Sequence, residues 1–121
     1  WLHRHHHCAN ILEEADAIIR FRKADPGLVA RQVAYYRDQG FCTAAHPQKD
    51  HSANAVLLRR HTPQVVALNE AWWAELEKFS HRDQLSLNYC AWRAGFELHY
   101  WPWSMLTNPY FYYGRGRQRH V

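Results

Sequence analysis

From Thr62 to Gly95 the chain reads as two apolar helices joined by a short polar elbow, Ser80-His81-Arg82-Asp83-Gln84. No other stretch restricts the fold as much. Thr62 can accept a hydrogen bond from an orphan backbone N–H, and Pro63 fits the first helical position, where a missing N–H costs nothing. Val65, Leu68, Trp72, Leu76 and Phe79 then recur at three- and four-residue steps, with Val66 and Trp73 widening the stripe. Ser80 or Asp83 can open the second helix, whose inner face is expected from Leu85, Tyr89 and Trp92. Gly95 closes it as a residue free to take positive φ.

The elbow gathers a hydroxyl, an imidazole, a guanidinium, a carboxylate and an amide at a helix N-terminus, where free N–H groups and the macrodipole favour anions. Arg82 adds a charge suited to bidentate contact with phosphate or carboxylate. The plainer reading is that Asp83 is an N-cap and Arg82 its solvated neighbour.

The segment Leu57 to Tyr89 resembles the signature of the glycosyltransferase-like domain family that includes plant turgor-defective and mucilage-related proteins. The residues that carry the likeness are Arg60-His61, Trp72-Trp73, Ser80, Arg82-Asp83-Gln84-Leu85-Ser86 and Asn88. Aligning Ile11, Glu13, Glu14 and Ala15 on the family's Ile-Tyr-Glu-Glu-Ala run puts His5 on its His of a His-Pro pair. His6 stands for the Pro, and Cys8-Ala9 for an Arg-Asp pair. The resemblance implies transfer of a sugar from a nucleotide-sugar donor to a hydroxyl of a sugar or glycan acceptor. It implies a mixed α/β fold, helices on a small sheet, like the C-terminal half of a GT-A-like nucleotide-sugar domain. Asp83 and Gln84 are then the catalytic pair, and Arg60, His61, Arg82, His5, Glu14 and Asn88 bind substrate. Mn²⁺ or Mg²⁺ is the implied cofactor. The chain holds no Asp-x-Asp motif, so the main metal ligands are expected outside it, with His99 or His120 supplying at most one more.

Elsewhere the signals are local. The run His3-Arg4-His5-His6-His7-Cys8 cannot close a zinc site alone, because adjacent histidines point in different directions. Asn10 can cap a helix from Ile11 to about Lys23. Asp25-Pro26 opens another, closed by Gly40, with Leu28 or Val29, Gln32 or Val33, and Tyr36 on its face. Phe41 to Ser52 has no periodicity and reads as a loop. Ala53 to Arg59 reads as a buried strand with a basic end, and Phe96 to Trp101 as a second strand, Phe96, Leu98 and Tyr100 on one face.

The 121 residues carry a formal charge of +4, which suits an acidic partner. Residues 102–121 form an aromatic and then basic tail with Tyr110, Phe111, Tyr112 and Tyr113 ahead of Arg115, Arg117 and Arg119. A polyanion or nucleic-acid module is therefore an alternative, and an inactive remnant of a transferase domain is another. Three cysteines, an odd number at no recognisable spacing, argue against a disulfide framework. No run approaches the ~18 apolar residues of a membrane span, and none reads as a signal peptide, so a cytoplasmic location is expected. The chain starts at Trp1, which makes a single domain or a C-terminal fragment of a longer one the expected organisation.

Overall fold

A computed structural model of the protein describes residues 1–112. The order is β1 (His3–Arg4), α1 (Ile11–Arg20), α2 (Pro26–Asp38), β2 (Ser52–Ala53), α3 (Pro63–Lys78) and α4 (Asp83–Ala94). β1 and β2 are antiparallel, with His3 opposite Ala53 and Arg4 opposite Ser52. A third line of backbone joins on the other side of β1: Leu2 N–H donates to His99 O and Trp101 N–H to Leu2 O, both at 3.0 Å, a parallel bridge at Tyr100. The architecture is mixed α/β, four helices packed around a small sheet.

α4 is the centre. Its residues from Leu85 to Ala91 are buried all round, because α3, α2, α1 and the sheet each take a face. On the α3 side, Trp72 Nε1–H donates to Ser86 Oγ at 3.0 Å. Toward α2, the Tyr36 and Tyr89 rings stack 4.0 Å apart. On the sheet side, Asn88 Oδ1 accepts from Ser52 N–H and Oγ–H at 3.2 and 2.9 Å. The expected inner face of Leu85, Tyr89 and Trp92 is thus only part of what α4 buries.

Side-chain caps set three helix starts as the sequence indicates. Glu13, Leu28 and Val65 N–H groups donate to Asn10, Asp25 and Thr62 at 3.0, 2.8 and 3.2 Å. Gly95 ends α4 at φ 64°, a conformation that costs a Cβ-bearing residue. α1 stops at Arg20 rather than near Lys23, as Arg22 turns to φ 53°.

Three expectations are corrected. The buried strand from Ala53 to Arg59 is reduced to its first residue, because the ladder turns away at Asn54 and Ala55. Leu57 and Leu58 instead flank a groove against α3, and Leu58 pairs with Trp1 alone. From Phe96 to Trp101 the in-and-out alternation holds, yet the only bridge there among the described residues is at Tyr100. Trp73 is 63% exposed and does not widen the α3 stripe; only Leu68 of that helix is fully buried.

Candidate functional site at the start of α4

The elbow is anchored from below. Ser80 is buried, and its N–H and Oγ–H both donate to Gln32 Oε1 at 3.3 and 2.5 Å. Gln32 Nε2 donates in turn to Tyr36 Oη at 3.0 Å, and Tyr36 reaches Glu75 at 3.5 Å. Spent on α2, Ser80 cannot cap α4. Neither can Asp83, which is the first helical residue; Arg82 occupies the N-cap position with no side-chain cap bond. Both expected caps are therefore corrected; Leu85 N–H donates to Arg82 O at 3.0 Å, and the Asp83 and Gln84 N–H groups have no partner among the described residues.

Arg82, Asp83 and Gln84 are half-buried at this start. Arg82 Nε is buried and has no hydrogen-bond partner among the described residues. No described residue hydrogen-bonds the Asp83 carboxylate or the Gln84 amide. A guanidinium with unused donors beside free helix N–H groups is an anion receptor, and a free carboxylate one residue on can take a hydroxyl or face a cationic carbon. Asn88 lies one turn beyond Gln84, on the same face. It is buried and already engaged: besides Ser52, its Nδ2 donates to Tyr100 Oη at 3.2 Å, under the Arg4 guanidinium that also pairs with Asp50.

Arg60 and His61 are not brought to this site. They are exposed at the opposite end of α3, whose 16 residues span about 24 Å. Arg60 borders the groove flanked by Leu57 and Leu58, which has a volume of about 840 Å³ and runs past Trp1, Trp72 and Phe96.

His5 and Glu14 do meet, and His51 joins them. Both imidazole Nε2 atoms stand 3.5 Å from Glu14 Oε2, and Glu14 and His51 are buried. Ligand atoms of His5, Cys8 and Glu14 lie within 4.8 Å of one another, the makings of a cation site. The proton positions do not fit one. His5 Nδ1 accepts from the His7 and Cys8 N–H groups at 3.1 and 2.9 Å, so a neutral ring carries its proton on Nε2. Gln48 sets the same tautomer on His51. Its Oε1 accepts from Ile11 N–H, leaving Nε2 to donate to Asp50 O and to His51 Nδ1. On His5 the Nε2 lone pair a metal needs is thus replaced by an N–H that faces Glu14 Oε2 at 3.5 Å, and His51 Nε2 stands at the same distance without a hydrogen bond among the described residues. The cluster instead ties β1, α1 and the β2 approach around one carboxylate.

The electrostatics agree. Burial works to raise the Glu14 carboxyl, but the His51 and His5 imidazoles and the Cys8 thiol outweigh it and hold it below its ordinary value. Burial, together with Glu14, pushes the Cys8 thiol up to about 11, which makes it unreactive. Burial lowers His5 and His3, so both stay neutral. A base whose folded value is lowered stabilises above its unfolded value, and that contribution is lost as pH falls through the window between the two. Stability is therefore expected to decline from about pH 6.5 downward. It declines further below about 4.5, as Glu14 begins to take up its proton. Melting at pH 7.5 and 5.5 checks this: a lower melting temperature at pH 5.5 is expected, and equal values would contradict it.

His99 is exposed with its ring against Trp1 at 5.3 Å, and His120 lies outside the described residues, as do Tyr113, Arg115, Arg117 and Arg119. Cys90 is buried, its thiol pushed by burial up to about 12. The sequence leaves His51 and Gln48 in an aperiodic loop and outside the candidate site. Their only signal is the His46-Pro47-Gln48-Lys49-Asp50-His51 loop, which echoes the family's His-Pro run.

Residues 2–109 match a glycosyltransferase-like domain. The family is TOD1/MUCI70, and the chain belongs to it. Over 89 residues the chain is 30% identical to the probable hexosyltransferase MUCI70 of Arabidopsis thaliana, an alignment covering 70% of this chain and 15% of that protein. The chain thus spans a small part of the length of this curated relative. No solved structure matches it. Among the described residues no helix is long and apolar enough to cross a membrane.

Proposed function

We propose that this chain supplies part of the sugar-transfer site of a nucleotide-sugar-dependent hexosyltransferase with a GT-A-like plan. The observation that carries the reading is the uncapped start of α4, where the buried Arg82 Nε lacks a hydrogen-bond partner among the described residues of a glycosyltransferase-like domain. In the reaction the bond from the anomeric carbon to the diphosphate breaks, its electron pair leaving with the diphosphate. The acceptor oxygen bonds that carbon and gives up its proton. Charge thus builds at the phosphate oxygens and at the sugar ring, the two places where fixed protein charge lowers the barrier.

Arg82 and the α4 N–H groups hold the diphosphate. Asp83 orients the donor sugar or takes the acceptor proton, and Gln84 lies beside the reacting carbon. Arg60 and His61, at the far end of α3, suit a distant group of the acceptor. His5, Glu14 and Asn88 position the segments around the site. A Mn²⁺ or Mg²⁺ ion, which would neutralise the departing diphosphate when bound, would take its main ligands from outside this chain, with His120 adding at most one; His99, in the groove beside Trp1 and Arg60, lies at the other end of α3. The test is release of nucleoside diphosphate from UDP- and GDP-hexoses by the native protein, alone and as Asp83→Asn. Loss of release in the variant is expected; unchanged release would refute the assignment.

A further inference from the structure

The face of the small sheet turned away from α4 carries a row of rings that the site above does not use. Alternation along β1 sends Leu2 into the core and Arg4 over the Tyr100 ring, so Trp1, His3 and His5 point the other way. There the Trp1 and Trp101 rings lie 6.5 Å apart and nearly parallel, and the His3 ring lies 4.6 Å from Trp101. Phe111 meets His3 edge-on at 5.7 Å.

His3 is the anomaly. It is completely buried, yet neither ring nitrogen has a hydrogen-bond partner among the described residues. A neutral imidazole offers one donor and one acceptor, and a native fold rarely buries both unmet. The cover over it is light. Asn108 Oδ1 accepts from Tyr110 and Phe111 N–H groups at 2.9 and 3.0 Å, a local turn in a segment without helix or strand. Trp1, beside it, is half exposed.

We propose that this face is a binding platform for a pyranoside ring. The C–H face of the sugar lies on the Trp1 and Trp101 indoles, and two neighbouring hydroxyls take the donor and acceptor of His3 once Phe111 moves aside. A sugar combines an apolar face with paired hydroxyls, which is the combination these groups present. The choice of a sugar rests on the transfer reading, in which this face holds a distant unit of the acceptor glycan; the binding itself does not.

The experiment titrates the full chain with methyl glucopyranoside, galactopyranoside and mannopyranoside, and separately with uridine, following tryptophan emission and the His3 imidazole resonances. It is repeated on His3→Phe and Trp1→Ala. At least one glycoside is expected to shift both signals. His3→Phe weakens that binding about ten-fold or more while melting at the same temperature or higher, because an apolar ring removes two unmet polar atoms. Trp1→Ala, at an exposed position, weakens binding without unfolding the protein.

Three results would overturn the proposal. One is wild-type signals unmoved by any glycoside; another is a response to uridine alone. The third is a His3→Phe variant that melts lower, which would make His3 a structural residue. Because no donor or turnover is involved, glycoside binding without donor cleavage sinks the transfer reading and leaves this one standing. Donor cleavage without glycoside binding does the reverse.

Discussion

Asp83→Asn is expected to lower sugar transfer by roughly a hundred- to a thousand-fold, with most of the loss in kcat. The substitution keeps the size of the side chain and removes its charge. No described residue hydrogen-bonds that carboxylate, so the fold loses only its favourable place at the positive end of α4, worth about 0.3–1 kcal/mol. A residue that mattered only as helix scaffolding would show the opposite pattern, a lower melting temperature with transfer nearly intact. Activity within about three-fold of wild type would therefore rule out Asp83 as a group acting on the reacting atoms.

Gln32→Ala is expected to be the most destabilising polar substitution, costing roughly 3 to 5 kcal/mol. The Gln32 amide is completely buried and satisfies the Ser80 N–H and hydroxyl at once while donating to Tyr36. Its removal leaves these groups unmet in a space water does not reach, and a cavity beside α2. Ser80 is also what fixes the elbow ahead of Arg82 and Asp83, so transfer should fall in the fraction that remains folded. Tyr36→Phe removes one partner of the same network and keeps the Ser80 anchor, so it should cost less. Denaturant unfolding of the pair decides the point: equal costs, or a Gln32→Ala loss below about 1 kcal/mol, would show that the elbow is held by packing instead.

The helices were legible because their ends carry short-range chemistry. Asn10, Asp25, Thr62 and Gly95 each act within a few residues of themselves, and a linear reading captures that. α4 was legible as a helix but not as the centre of the molecule. Ser86 and Asn88 look like an outer face in sequence, and only Trp72 and Ser52, which are distant along the chain, turn them into buried partners. The strands failed for a related reason. A two-residue ladder leaves no alternation long enough to register, and the apolar run Ala55 to Leu58 is used against α3 instead.

At the candidate site, the polar density around Asp83 was visible, but the role of Ser80 was inverted, because its partner lies on α2. Arg60 and Arg82 could be grouped only while the length of α3 between them was ignored. His5 and Glu14 come from the family likeness as substrate-binding residues, and the structure sets them 3.5 Å apart at Glu14 Oε2, a contact the likeness does not foretell. His51 and Gln48, which decide the proton positions there, come from a loop without periodicity, and His3 gave no sequence signal beyond its place in a histidine run.

The central claim is that the start of α4 receives the diphosphate of a nucleotide sugar. Calorimetric titration of the native protein with UDP and GDP, with and without Mn²⁺, in wild type and Arg82→Ala, tests it most directly. One nucleotide is expected to bind, and to bind about ten-fold or more weakly to Arg82→Ala, the loss expected when a guanidinium no longer reaches phosphate. Equal affinities in the two proteins, or no binding of either nucleotide by the wild type, would contradict it.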